Sequence, residues 1–151
     1  MRGADITQEE LFSYRALEDR IPKDRPLRKL RAVVDILLTT MDLEFDALYA
    51  RTGRESIPPE RLLRASLIQV LFSIRSERQL VQQIDFNLLY RWFVGLTLDA
   101  EVWDHSTFSA NRDRLLNERL SRLFFERVVL LAEWQELLSD RLSAPSYSEL
   151  A

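Results

Sequence analysis

The segment Trp103-Asp104-His105-Ser106-Thr107-Phe108-Ser109-Ala110-Asn111-Arg112-Asp113-Arg114 concentrates residue types that can do chemistry. Short hydroxyl side chains at a helix N-terminus can hold a phosphate together with exposed backbone N–H groups, which makes Ser106, Thr107 and Ser109 candidate phosphate contacts. At about 100° per residue, Phe108 and Leu115 share one direction and Arg112 lies close to it, while Ser109, Ala110, Asp113 and Arg114 point elsewhere. Arg112 is therefore expected beneath the helix, paired with a carboxylate such as Asp104 or Asp99, and Arg114 is the better candidate for an outer phosphate. His105 beside Asp104 has the makings of a general base. No nucleophile or third partner accompanies it, and His105 is read as a residue beside a helix cap.

Two further constellations carry polar chemistry. A tight turn separates a helix over 59–74 from a short one over 76–84, an arrangement that resembles a helix-turn-helix. The second helix turns Glu77, Arg78, Gln82 and Gln83 outward, and a glutamine amide can read adenine bidentately in the major groove. An ordinary helical hairpin with a solvated face fits the same pattern. The run 25–31 holds Arg25, Arg28, Lys29 and Arg31 and no acid. Arg28, Lys29 and Arg31 are thus candidate phosphate contacts at a helix start, or else a solvated face. Trp92, Phe93, Trp103 and Phe108 could stack bases, but aromatics at helical spacing more often fill a core. They are read here as structural, together with Asp104 and Arg112.

Composition narrows the possibilities. The chain has 151 residues, 46% of them hydrophobic, enough for one domain with a real core. It has no cysteine, which removes disulfides, thiolate metal sites and cysteine nucleophiles. With one histidine, a metal site would have to be almost wholly carboxylate, and neither a metal nor a cofactor is expected. Basic residues total 21 against 24 acidic, a net charge of −3, which argues against a purely electrostatic nucleic-acid binder. Arginine far outnumbers lysine, which occurs only at Lys23 and Lys29. No apolar run approaches bilayer length and no signal peptide is visible, so a cytoplasmic, nucleoid-associated protein without a membrane partner is expected.

The elements that must position these residues are helices. Three glycines and five prolines supply too few turns for a small sheet. The reading is all-α: a compact domain of about six to seven helices with helix-turn-helix-like elements. Residues 1–142 form it, as a helical hairpin over 7–51 and a core helical region over 58–140, followed by a disordered tail over 143–151. The first helix starts at Thr7, where Thr7 and Glu10 make a capping box, and stops near Arg20, before Pro22. Pro26 opens a helix whose apolar stripe is Leu27, Leu30, Val33, Val34, Leu37, Leu38 and Met41. A short helix over 43–51 and a loop over 52–57 follow. The helix over 59–74 is apolar on most sides and is broken by Arg75. Ser76 and Gln79 cap the next one. An aromatic helix over 87–95 ends on Gly95. Ser106 caps a helix to about Leu116, and a last helix over 118–138 carries Leu120, Phe124, Val128, Leu131 and Leu138.

Three stretches, "IPKDRPLRKLRAVVDILL", "SIPPERLLRASLIQVLFSIRSERQLVQQIDFNLLYRWFVGL" and "VWDHSTFSANRDRLL", resemble the N-terminal domain of InsH-type insertion-sequence transposases, which are bacterial DDE enzymes. The resemblance covers about 15–140, and "SIRSERQL", "NLLYRWFVGL" and "WDHSTFSANRDRLL" are specific as a set. Arg25 departs from it, since the family commonly has histidine there. The resemblance implies a helical DNA-binding part that recognises terminal inverted repeats and helps assemble the synaptic complex. It also implies a separate RNase H-like nuclease, whose first catalytic Asp lies in a "VDGT"-like strand after a "GLLSD"-like sequence. Here "ELLSD" at 136–140 is followed by "RLSAPSYSELA" and no Asp-Gly-Thr. Asp85, Asp99, Asp104 and Asp113 match none of the family's catalytic positions. A two-metal site needs carboxylates held on one rigid scaffold. The expectation is a truncated chain with no catalytic residues, Mg2+ belonging only to the full-length family enzyme. Its partners would be DNA, and itself or full-length transposase. The alternative is an inert helical module that dimerises with, or inhibits, the full-length protein.

Overall fold

The computed structural model describes residues 2–7, 15–49, 57–116 and 119–140, with backbone alone at 48–49, 116 and 134–140. Among the described residues there are eight helices and no strand: α1 (Leu17–Arg20), α2 (Pro26–Thr40), α3 (Asp42–Tyr49), α4 (Pro59–Leu71), α5 (Glu77–Phe86), α6 (Leu88–Val94), α7 (His105–Leu116) and α8 (Arg119–Asp140). None is long and apolar enough to cross a membrane.

One buried cluster runs through the fold. Leu27, Val34, Leu38 and Met41 of the α2 stripe share it with Leu63 and Ile68 of α4, Leu80 and Ile84 of α5, Phe93 of α6, Phe108 of α7 and Phe124 of α8. α2 packs on α8, and α4 packs on α5, α6 and α7. α5 in turn rests on α6 and α7, which fixes its inner face and leaves its outer one open. The α8 stripe is buried at Phe124 and Val128 but emerges at Leu131, which is exposed.

Local chemistry explains most of the boundaries. Ile21 is extended (φ −87°, ψ 122°), as the residue before a proline must be, and it stops α1. Asn87 closes α5 and opens α6, its side-chain oxygen accepting the Leu89 and Tyr90 N–H groups at 2.9 and 3.2 Å. Gly95 ends α6 at φ +96°, a left-handed position that suits a residue without Cβ.

Four expectations need correction. Thr7 is not helical, and Ala16 is extended (ψ 153°), so α1 is a single turn rather than a helix from 7 to 20; Glu10 lies outside the described residues. α4 ends at Leu71, earlier than expected and not at Arg75. Ser73 adopts φ +52°, and the N–H groups of Ser73 and Ile74 return to the carbonyls of Val70 (3.3 Å) and Gln69 (3.0 Å), a Schellman closure built on serine instead of glycine. α5 runs on to Phe86, because Asn87 and not Ile84 supplies the stop. The cap of α7 is Asp104 rather than Ser106: its carboxylate accepts the Ser106 N–H at 3.2 Å, and its carbonyl accepts the Phe108 N–H at 3.0 Å. The loop expected over 52–57, apart from Ile57, the start of the last helix at Glu118 and the tail over 143–151 lie outside the described residues.

Candidate nucleic-acid interface

α5 has two faces. Leu80 and Ile84 are fully buried, one turn apart, and Val81 is packed beside them. Arg78, Gln79, Gln82, Gln83 and Phe86 are exposed. This division follows from spacing, since Leu80 and Ile84 lie on the opposite side of the wheel from Gln82 and Phe86. The Ser76 hydroxyl accepts the Gln79 N–H at 3.2 Å and fixes the first turn. At the other end, Gln82, Gln83, Phe86, Asn87 and Leu88 line a shallow groove of about 560 Å³. Arg78, Gln82 and Gln83 thus stand together on one surface. Glu77 does not join them, being half-buried and ion-paired with Arg112 of α7.

That ion pair replaces the one expected from the sequence. Arg112 is half-buried as its wheel position requires, but its partners are Glu77 and, at 3.7 Å, Asp113, not Asp99 or Asp104. The carboxylate comes from α5 because α5 packs directly on α7.

The N-terminus of α7 reaches the first turn of α5. Arg78 Nη2 lies 3.2 Å from His105 Nε2. Ser106 and Thr107 are exposed and Ser109 is half-buried. The Asp104 carboxylate also accepts the Ser106 hydroxyl, and this hydrogen bond chiefly holds its pKa below the ordinary aspartate value. An anion is therefore already in place at this helix terminus, the position the sequence offered to a phosphate. Arg114 is exposed near the other end of α7.

Arg28 and Arg31 occupy a different setting. Their guanidinium carbons stand 5.0 and 4.4 Å from the centroid of the Trp92 ring. Arg28 pairs with Glu18 and also donates to the carbonyls of Glu18 (2.7 Å), Ile21 (2.7 Å) and Pro22 (3.0 Å). Arg31 lies 3.8 Å from Glu18 and from Asp35, and Asp35 accepts from Arg64 of α4 at 2.5 Å. These two arginines tie α1, α2 and α6 together, Arg64 adds α4 through Asp35, and only Lys29 of the three candidates is exposed.

The aromatic group is core. Trp92, Phe93 and Phe108 are buried, and Trp103 is half-buried with its ring stacked on Phe108 at 5.9 Å. Sequence reasoning missed two residues. Arg91 is buried, donating to the carbonyls of Leu98 (3.2 Å) and Ala100. Phe86 is 83% exposed in the groove of α5; its signal was an aromatic lying off the Leu80–Ile84 stripe. Among the described residues no group of three or more metal-capable side chains comes together.

The family model described as Transposase domain (DUF772) matches residues 15–114, more than half of the chain and all of α1 to α6. No curated protein and no solved structure gives a match.

Proposed function

Because the chain belongs to the Transposase domain (DUF772) family, we propose that it is a DNA-recognition unit of an InsH-type bacterial insertion-sequence transposase, directed at the element's terminal inverted repeats. The observation that carries this reading is the outer face of α5. It presents Arg78, Gln79, Gln82 and Gln83 to solvent on a helix whose other side is locked into the core. α4, the Ser73 turn and α5 would act as the helix-turn-helix, with α5 entering the major groove.

The charge balance shapes the mechanism. A net charge of −3 limits how many phosphates the protein can neutralise. Affinity for an arbitrary duplex should therefore be weak, and discrimination must come from base edges, which is what amides provide. Arg78, beside His105, and Arg114 supply backbone contacts, and Lys29 is available for another. No catalytic step is assigned to these helices. Metal-dependent cleavage or joining of DNA by the purified chain would overturn that assignment.

Gel-shift titration of the whole chain against an inverted-repeat duplex and a scrambled one, at a single salt concentration, tests the proposal. Tighter binding to the repeat supports it, and equal affinity for both would reject it.

A second reading is a helical interaction module. The observation favouring it is the exposure of three apolar residues, Val129, Leu130 and Leu131, around one turn of α8. Association with a second copy or with full-length transposase would cover part of this apolar turn. Light scattering at two concentrations separates the readings: a strict monomer that still selects the repeat leaves only the first.

A further inference from the structure

We propose that the C-terminal half of α5 reads A·T base pairs, with Phe86 packed against the thymine 5-methyl group and the Gln82 and Gln83 amides directed at adenine. The inference rests on the DNA-binding reading above and names the bases that surface would select.

The geometry of α5 sets the three side chains side by side. At about 100° per residue, Phe86 falls between the directions of Gln82 and Gln83 and one turn further along. All three are exposed, and all three line the groove that also includes Asn87 and Leu88. None of these five lining residues is charged. The cation on this face, Arg78, sits a full turn nearer the N-terminus, against His105. The acid beside the groove, Asp85, lies 3.9 Å from buried Arg91.

This distribution matches one kind of base pair. Guanine is read chiefly by arginine or lysine reaching O6 and N7, and no cation lines the groove. Adenine offers an acceptor and a donor side by side, the pattern that a primary amide complements. Thymine adds a methyl group, which apolar side chains contact. Phe86 gives the fold no buried contact that would explain its place, for the phenyl group is 83% exposed while Leu80 and Ile84 fill the inner face of the same helix.

The test uses the full chain and a pool of randomised duplexes. Sequences enriched by binding are remade with each thymine in turn replaced by deoxyuridine, which removes only the methyl group. Affinities at one salt concentration are read by fluorescence anisotropy for wild type, Phe86→Ala and Gln82→Ala, each checked for folding by circular dichroism. At one position, loss of the methyl should weaken wild type about fourfold, the worth of one buried methyl group, and leave Phe86→Ala unchanged. Gln82→Ala should lose about fivefold or more of its preference for adenine at a neighbouring position. Tolerance of deoxyuridine at every position, or an equal loss in Phe86→Ala, would overturn the inference while leaving DNA binding intact. Failure of the pool to enrich any sequence would instead reject the DNA-binding reading beneath it. Retention of every base preference by Phe86→Ala would show that this end of α5 meets something other than bases, and would overturn the inference as well.

Discussion

The indole N–H of Trp92 donates to the Glu18 carboxylate over 2.6 Å, joining α6 to α1 across 74 positions of the sequence. The same carboxylate pairs with Arg28, which with Arg31 lies over the indole ring. One acid thus contacts two of the four cations of a run that has no acid of its own.

Acid should loosen this clasp. Hydrogen bonding from Arg28, and secondarily from Trp92, lowers the Glu18 pKa below its ordinary 4.5. A group whose pKa falls on folding adds stability that is complete above its unfolded value and disappears as pH drops through the folded one. The urea midpoint should therefore hold steady above about pH 5 and decline below the unfolded value near 4.5. Glu18→Gln should start lower and decline less over that range. Parallel curves for the two proteins would contradict the role given to Glu18.

Arg112 and Arg114 should separate stability from binding. Arg112→Ala removes one ion pair between α7 and α5 and leaves Glu77 half-buried without its cation, a cost of about 1–3 kcal/mol in denaturant unfolding. Arg114→Ala, at an exposed position, should cost less stability than Arg112→Ala and weaken DNA binding with a smaller salt slope. The reverse pattern would show that the wheel assignment of α7 is wrong.

Two left-handed residues predict changes of opposite sign. Gly95 is at φ +96°, and the nearest foreign atom to an added Cβ would be Arg64 Nη1 at 3.6 Å, so Gly95→Ala meets backbone strain and no clash. It should destabilise by about 1–2 kcal/mol. Ser73, exposed at φ +52°, is the mirror case, and Ser73→Gly should stabilise by a few tenths to about 1 kcal/mol. Thermal melts of the pair check both signs.

Loss of Arg91 should be costly. The residue is 4% exposed, and its guanidinium holds the carbonyls of Leu98 and Ala100. Arg91→Met fills much of the space but strands those acceptors, and about 2–4 kcal/mol should be lost. Retention of wild-type stability would mean that the loop after Gly95 does not depend on this arginine.

What was legible in the sequence followed local rules. Asn87 and Gly95 bracket α6 because capping and left-handed closure depend on residue type. The α2 stripe and the outward Arg78, Gln82 and Gln83 follow from helical spacing. What was missed depends on partners far along the chain. Residues 25–31 contain no acid, so nothing nearby announces that Glu18 and Trp92 hold Arg28 and Arg31. Glu77 stands 35 positions before Arg112, and the packing of α5 on α7 chose it over the nearer Asp99 and Asp104. Serine at position 73 carries no signature of a helix end, yet it takes the left-handed turn that closes α4, with Ile74 buried behind it. The exposure of Phe86 is a tertiary fact, although its place off the apolar stripe hinted at it.

The central claim is that the outer face of α5 selects DNA by its bases. The most direct measurement is the ratio of affinities for the inverted-repeat and scrambled duplexes, taken at several salt concentrations for wild type and for the double variant Gln82→Ala, Gln83→Ala. Each good bidentate amide contact is worth about 1–3 kcal/mol of discrimination, so the ratio should collapse toward one in the variant while the salt slope stays as it was. An unchanged ratio in the variant would contradict the account.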